Sequence, residues 1–249
     1  MKIIGVIPAR YNSSRLVGKP LADICGKPMV WWVYQQAMKV NKIDEVYVAT
    51  DDTRIKQKCD ELNIPVVMTN ENHPTHINRI HEFSNNVFAD LYVVICGDEP
   101  LISSEIIEKV IPEDTDDQYI VRALMREFNE PTEVMDPGNI KIVANSEGDC
   151  LYLSRSPIPF PYKTILYKYH KIVGVECYNK AALDFFVNAN VGDLERIEDI
   201  AILRFMEGRI GMKFTLVESE ALSVDTERDL EKVRIMINNN ILKDGKRLD

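Results

Sequence analysis

Short apolar runs alternate with polar stretches through the first hundred residues. Ile3, Ile4, Val6 and Ile7 make residues 2–8 read as a buried parallel strand. After a polar, Gly-containing loop, residues 28–39 take the apolar spacing of a helix, with Pro28 near its first turn. Residues 45–50 form a β-branched run, and Asp51-Asp52-Thr53 after it opens another helix. A third strand is predicted at 66–69. A fourth, at 91–96, ends abruptly at Gly97-Asp98-Glu99-Pro100, and helical spacing resumes from Ser103 to Val110. This β-loop-α alternation predicts an α/β fold with a doubly wound, mostly parallel, Rossmann-like sheet.

The pattern changes in the second half. Residues 119–125, 139–144 and 150–154 read as strands, with a turn at Glu147-Gly148-Asp149. Residues 170–178 form a further strand, 194–206 one helix, 213–217 a strand and 226–239 a closing helix. There is no internal repeat and no low-complexity linker, so residues 1–249 are taken as a single domain. The Pro-rich stretch at 156–162 is too short to separate domains and reads as a loop over a site.

Composition narrows the class. The chain has 249 residues, of which 45% are apolar, ample for a well-buried core. No stretch approaches the roughly twenty apolar residues of a membrane span, and residues 1–15 lack the pattern of a secretory signal. Five cysteines without a CxxC pair read as reduced thiols. A cytoplasmic protein is expected. The net charge of −9 argues against nucleic-acid binding, which needs an extended basic surface. Locally the balance reverses: Arg10, Arg15, Lys19 and Lys27 face Asp23 alone. A polyanionic ligand would explain that cluster, as would a solvated loop.

The loop at residues 7–20 carries most of this charge. A loop leaving the first strand of a doubly wound sheet lies at the carboxyl edge, where ligands bind. Its small residues, Arg10, Arg15 and Lys19 can surround a triphosphate, both cations beyond Arg10 being expected to face solvent. It is neither a Walker loop nor GxGxxG. Asp98, directly after an apolar strand, projects from the same edge and suits Mg²⁺, which takes one or two carboxylates plus substrate phosphates. Asp225 is a second candidate, although it could simply cap the last helix. His73, His76 and His81 do not share one helix face, and no cysteine accompanies them, so a zinc site is not expected. Trp31 and Trp32 read as core or dimer contacts.

These segments resemble the CMP-sugar-acid synthetases, most closely the 3-deoxy-manno-octulosonate (Kdo) cytidylyltransferases. The matching signatures are IPARYNSSRLVGKPL at 7–21, GKPM at 26–29, VATDD at 48–52, GDEP at 97–100 and SVDTERDLEKVR at 223–234. YLSRSPIPF at 152–160 is similar to the family's strand and loop before the sugar site. The resemblance covers nearly the whole chain. It implies a single α/β domain with a small β element that helps form a homodimer, and an enzyme that transfers CMP from CTP to the anomeric hydroxyl of an acidic sugar. Surface polysaccharide synthesis is the implied setting. Carried over residue by residue, Arg10, Ser13, Arg15 and Lys19 would grip the CTP phosphates, and Asp98 and Asp225 would hold Mg²⁺. Arg79, Cys96, Arg155, Glu176, Tyr178, Glu195 and Glu198 would form the acceptor's surroundings.

The departures cluster at the sugar positions. Kdo enzymes carry Gln before GDEP, where this chain has Cys96. Their HxSGTxR-like segment reads here His73-Pro74-Thr75-His76-Ile77-Asn78-Arg79, keeping the first His and the Arg. Their HxGIYxYR-like strand becomes Ile172-Val173-Gly174-Val175-Glu176-Cys177-Tyr178-Asn179, so the sugar-contacting His and Tyr become Ile172 and Glu176. The same reaction on a different acceptor is expected. The rival enzyme class, sugar-1-phosphate nucleotidyltransferases, opens with a Gly-rich LxAGxGxRL-type loop that this chain lacks. A non-catalytic nucleotide-binding protein is the other alternative, and the retention of both Asp98 and Asp225 argues against it.

Overall fold

The structure, a computed structural model, describes residues 1–13, 16–164, 166–219 and 222–244, with side chains through residue 239. The first half runs β1 (Ile3–Ala9), β2 (Asp23–Ile24), β3 (Lys27–Pro28), α1 (Met29–Ala37), β4 (Glu45–Thr50), α2 (Thr53–Glu61), β5 (Val66–Met68), α3 (His76–Asn86), β6 (Leu91–Ile95) and α4 (Ser104–Glu108). The second half runs β7 (Val121–Glu127), β8 (Lys141–Ala144), β9 (Cys150–Ser154), β10 (His170–Asn179), α5 (Lys180–Asn188), α6 (Asp193–Glu198), α7 (Leu203–Glu207), β11 (Lys213–Leu216) and α8 (Glu227–Asp244).

One sheet joins both halves in the order β11-β7-β10-β6-β1-β4-β5. Strands β6, β1, β4 and β5 are mutually parallel, and the two central ones, β1 and β6, are the nearly unbroken apolar runs expected of strands buried on both faces. Strand β10 runs antiparallel between β6 and β7, and the β8–β9 hairpin adds to its start. Alternation along each strand sends side chains to two cores. Ile3, Ile7, Val93 and Ile95 meet Val30, Val33, Ile55 and Ile107 of α1, α2 and α4. Ile4, Val6, Tyr92 and Val94 meet Ile77, Ile80, Phe83, Phe186 and Phe205 of α3, α5 and α7. A third cluster packs Val233 and Ile237 of α8 on Ile24 and Met29, so α8 folds back over the first loop.

Two helices escape the sequence pattern. α3 starts at Thr75, whose Oγ1 accepts from the Asn78 N–H at 3.3 Å, and α5 starts at Asn179, whose Oδ1 accepts from the Ala182 N–H at 3.0 Å. The single helix expected at 194–206 is instead two. Asp199 breaks it in the left-handed region (φ 51°, ψ 47°). The Arg155 guanidinium donates to the freed carbonyls of Glu198 (2.6 Å) and Asp199 (2.8 Å), which a continuous helix would have used internally. The break places Ile200 and Ile202 in the wall of a cleft.

Candidate active site

The strand order turns around at β1, so the crevice opens beyond the carboxyl ends of β1 and β6, at the topological switch point. A cleft of about 500 Å³ lies there. Its first wall is the loop after β1. Gly18 (φ 71°) donates its N–H to the Tyr11 carbonyl at 2.8 Å, closing the loop. The left-handed conformation favours glycine, and a Cβ at Gly18 would also crowd the Tyr11 ring at 3.2 Å. The Arg54 guanidinium, paired with Asp52, stacks on that ring with 3.2 Å to its centroid and fixes the loop to α2. Arg10 is left exposed, and Arg10 and Ser13 line the cleft. Arg15 lies outside the described residues.

Lys19 departs from expectation. Only 14% of its side chain is exposed, because its Nζ turns inward and donates to Asp98 Oδ2 at 2.7 Å, the Val224 carbonyl at 2.9 Å and Asp225 Oδ1 at 3.4 Å. One ammonium thus marks the point where two carboxylates from distant segments converge. Two carboxylates open to a cleft fit a hard, oxygen-seeking cation that completes its shell with water and phosphate. No group of three or more His, Cys, Asp or Glu able to hold a metal occurs among the described residues.

The two acidic segments are latched together from below. The Val224 N–H donates to the Asp98 carbonyl at 2.9 Å. Glu99 Oε1 accepts from Ser223 Oγ at 2.6 Å and from the Gly174 N–H at 3.3 Å, tying the loop after β6 to β10 and to the segment before α8. Burial, with the neighbouring Asp98 charge, pushes the Glu99 carboxyl up to about 7. Gly174 is required by contact: a Cβ there would stand 2.9 Å from Cys96 Cβ and 3.0 Å from Glu99 Cγ.

The far side of the cleft is built from α3 and β10. His76 Nε2 meets Glu176 Oε2 at 2.7 Å, and Tyr178 donates its hydroxyl to the same oxygen at 2.9 Å. Burial opposes charge on His76, yet the Glu176 carboxylate outweighs it and the imidazole pKa is raised. Burial likewise opposes charge on Glu176, and His76 outweighs it, so the carboxyl pKa is lowered. Each partner thus favours the charged form of the other. Burial and the adjacent acids raise the Cys96 thiol well above its ordinary value, so Cys96 presents a neutral thiol to the cleft and not a nucleophile. Arg79 is buried at the cleft wall, bonded to Thr69 Oγ1 and 3.4 Å from Asp51.

Arg10, Ser13, Lys19, Arg79, Cys96, Asp98, Glu176, Glu195 and Asp225 all reach the cleft, whereas Arg155, Tyr178 and Glu198 stand behind it. Arg155 and Glu198 brace the broken helix: Glu198 accepts from Ser154 Oγ at 2.6 Å and the Arg155 N–H at 2.9 Å. Glu195 has both oxygens on Arg204, at 2.6 Å each. Sequence reasoning passed over His76 as an acceptor-site residue and overlooked Glu99. Their partners lie 100 and 124 residues away, and no local spacing signals either contact.

A cationic loop, converging carboxylates at a switch point and a roomy second half to the cleft define a nucleotidyltransferase. The chain belongs to the cytidylyltransferase family, whose model matches residues 4–240. It is 37% identical over 236 residues to the 3-deoxy-manno-octulosonate cytidylyltransferase of Escherichia coli, covering 95% of this chain and 96% of that protein. It is 36% identical over 246 residues to the 8-amino-3,8-dideoxy-manno-octulosonate cytidylyltransferase of Shewanella frigidimarina, covering 95% and 99%. Among solved structures, a CMP:2-keto-3-deoxy-manno-octonic acid synthetase complexed with CTP superposes with a TM-score of 0.90 at 37% identity, covering 96% of this chain and all of that one.

Proposed function

We propose that the protein transfers CMP from CTP to the anomeric hydroxyl of an acidic sugar of the 3-deoxy-manno-octulosonate type, with Mg²⁺. The observation that carries this reading is the convergence of Asp98 and Asp225 on one cation position at the mouth of the cleft. Relatives named for this reaction, at 36–37% identity over nearly the full chain, support it.

The anomeric oxygen bonds to the α-phosphorus, the bond from that phosphorus to the β-phosphate bridge breaks, pyrophosphate leaves with the bridging oxygen, and the hydroxyl proton passes to solvent water. Arg10 and Ser13 meet phosphate oxygens. Lys19 swings from the two aspartates to the triphosphate when these are otherwise occupied. Asp98 and Asp225 would hold Mg²⁺, which supplies charge neutralisation for the phosphates. The latch through Glu99 and Ser223 keeps the two carboxylates in register, so the site is preorganised for the charge that develops.

Pyrophosphate release from CTP with a panel of sugar acids and sugar 1-phosphates tests the reading. Release with a sugar acid supports it; release with a sugar 1-phosphate alone moves the protein to the rival enzyme class; CTP binding without turnover makes it a nucleotide-binding protein. The proposal includes a homodimer. Leu151 of β9 and Phe160, Tyr162 and Leu166 in the segment after it are exposed apolar side chains that a second copy would cover. Sedimentation of Phe160→Ser against the parent protein tests that face.

A further inference from the structure

We propose that Glu176, held by His76, selects an acceptor sugar acid that carries an amine where Kdo carries a hydroxyl. The inference rests on the cytidylyl-transfer reading and names the substrate class of that site.

Glu176 and His76 occupy two positions at which this chain departs from the Kdo pattern: the glycine of the HxSGTxR-like segment and the tyrosine of the HxGIYxYR-like strand. Sequence alone does not connect them. In the fold they are in contact, 2.7 Å apart, on α3 and β10. The two departures are therefore one change, the replacement of a small residue and an aromatic one by an ion pair in the wall of the cleft.

That pair leaves one valence open. Glu176 Oε2 accepts from both His76 and Tyr178, while Oε1 takes no hydrogen bond from the described residues. The residue lines the cleft although only 7% of it is exposed. Glu176 reaches the cleft, where a donor on the acceptor can meet this oxygen. Because His76 keeps Glu176 ionised, Oε1 can only accept.

The surroundings decide between the possible donors. Ile140, Ile172, Ile200 and Ile202 line the same cleft, so part of its wall is apolar, and charge counts for more where a bound group on that wall displaces water. A hydroxyl would give Oε1 an ordinary hydrogen bond. An ammonium gives it a charge-assisted one, shorter and roughly twice as strong. Cys96, where Kdo enzymes carry Gln, removes an amide that could pair with a hydroxyl, and a thiol is a weak hydrogen-bonding partner. The relative from Shewanella frigidimarina is named for an 8-amino acceptor, so that chemistry exists within the family at this level of identity.

The test compares kcat/KM for Kdo and for 8-amino-3,8-dideoxy-manno-octulosonate, each with CTP. The amino sugar is expected to be favoured about tenfold or more. Glu176→Gln should bring the ratio to within about threefold by raising KM for the amino sugar, with KM for CTP unchanged. Since Glu176→Gln strands the His76 imidazolium and can weaken the fold, His76→Gly/Glu176→Tyr is made beside it, restoring both family residues; it should reverse the preference towards Kdo. Equal or better use of Kdo by the parent protein overturns the proposal and leaves cytidylyl transfer standing. So does a preference that neither variant alters. Absence of pyrophosphate release with either sugar overturns the transfer reading, and the proposal with it.

Discussion

The ammonium of Lys19 lies 2.7 Å from Asp98 and 3.4 Å from Asp225, so a side chain from the loop after β1 holds the two carboxylates expected to bind metal. Lysine and a divalent cation cannot share that position. A divalent cation bound between the two carboxylates would displace Lys19, and a triphosphate would offer the lysine a new partner.

Lys19→Ala should therefore raise the affinity of the free protein for Mn²⁺ while lowering turnover about 10²-fold, the scale of losing one group that stabilises developing charge. Titration calorimetry with Mn²⁺ in the absence of CTP reads the first effect. Unchanged affinity would show that Lys19 does not compete with the metal.

Asp98→Asn and Asp225→Asn should each abolish turnover and weaken Mn²⁺ binding in the presence of CTP. Each substitution removes one of two charges that a hard cation needs while keeping the shape of the side chain. Retained metal binding in either variant would remove that residue from the site.

Arg10→Ala should raise KM for CTP with little change in melting temperature. Arg10 is exposed and makes no ion pair with the described residues, and exposed substitutions usually shift stability by less than about 0.5 kcal/mol. A large loss of stability with unchanged kinetics would make it structural.

The His76–Glu176 pair predicts a pH signature in stability. The raised His76 pKa contributes fully below the imidazole's ordinary 6.5 and is lost as pH rises through the folded value. The lowered Glu176 pKa contributes fully above the ordinary 4.5 and is lost as pH falls through the folded value. Asp98 adds to the upward shift on His76, and Arg10 opposes it. The margin of the parent protein over His76→Gln/Glu176→Gln should therefore be greatest between about pH 4.5 and 6.5 and shrink on either side. Thermal melts of both proteins from pH 4 to 9 read this directly; a margin flat with pH would mean the pair is not ionised.

Arg204→Met should be strongly destabilising. It strands the Glu195 carboxylate, whose two oxygens both bond to that guanidinium in the interior. Removing one partner of a buried pair typically costs about 3–5 kcal/mol, and Arg204→Met/Glu195→Leu should recover part of it. Equal melting temperatures for Arg204→Met and the parent would overturn the structural role of the pair.

The apolar periodicity by itself determined the parallel half of the sheet. Strands buried on both faces must be continuous apolar runs; residues 91–95 carry that signal without interruption, and residues 45–50 carry it from Val46 to Ala49 with Tyr47 half-buried. It also placed Asp98 at the carboxyl edge, since the position follows from where a strand ends. Only the tertiary structure decided what required contact across long separations. The helix expected at 194–206 is broken because Arg155 binds the carbonyls at Glu198 and Asp199, a contact invisible in the helical spacing. Lys19 turns inward because the segments holding Asp98 and Asp225 close around it. Glu176 and His76 become one pair because β10 runs antiparallel beside β6 and brings its face under α3. Local pattern records which residues are buried; which buried residues meet is fixed by how the layers close.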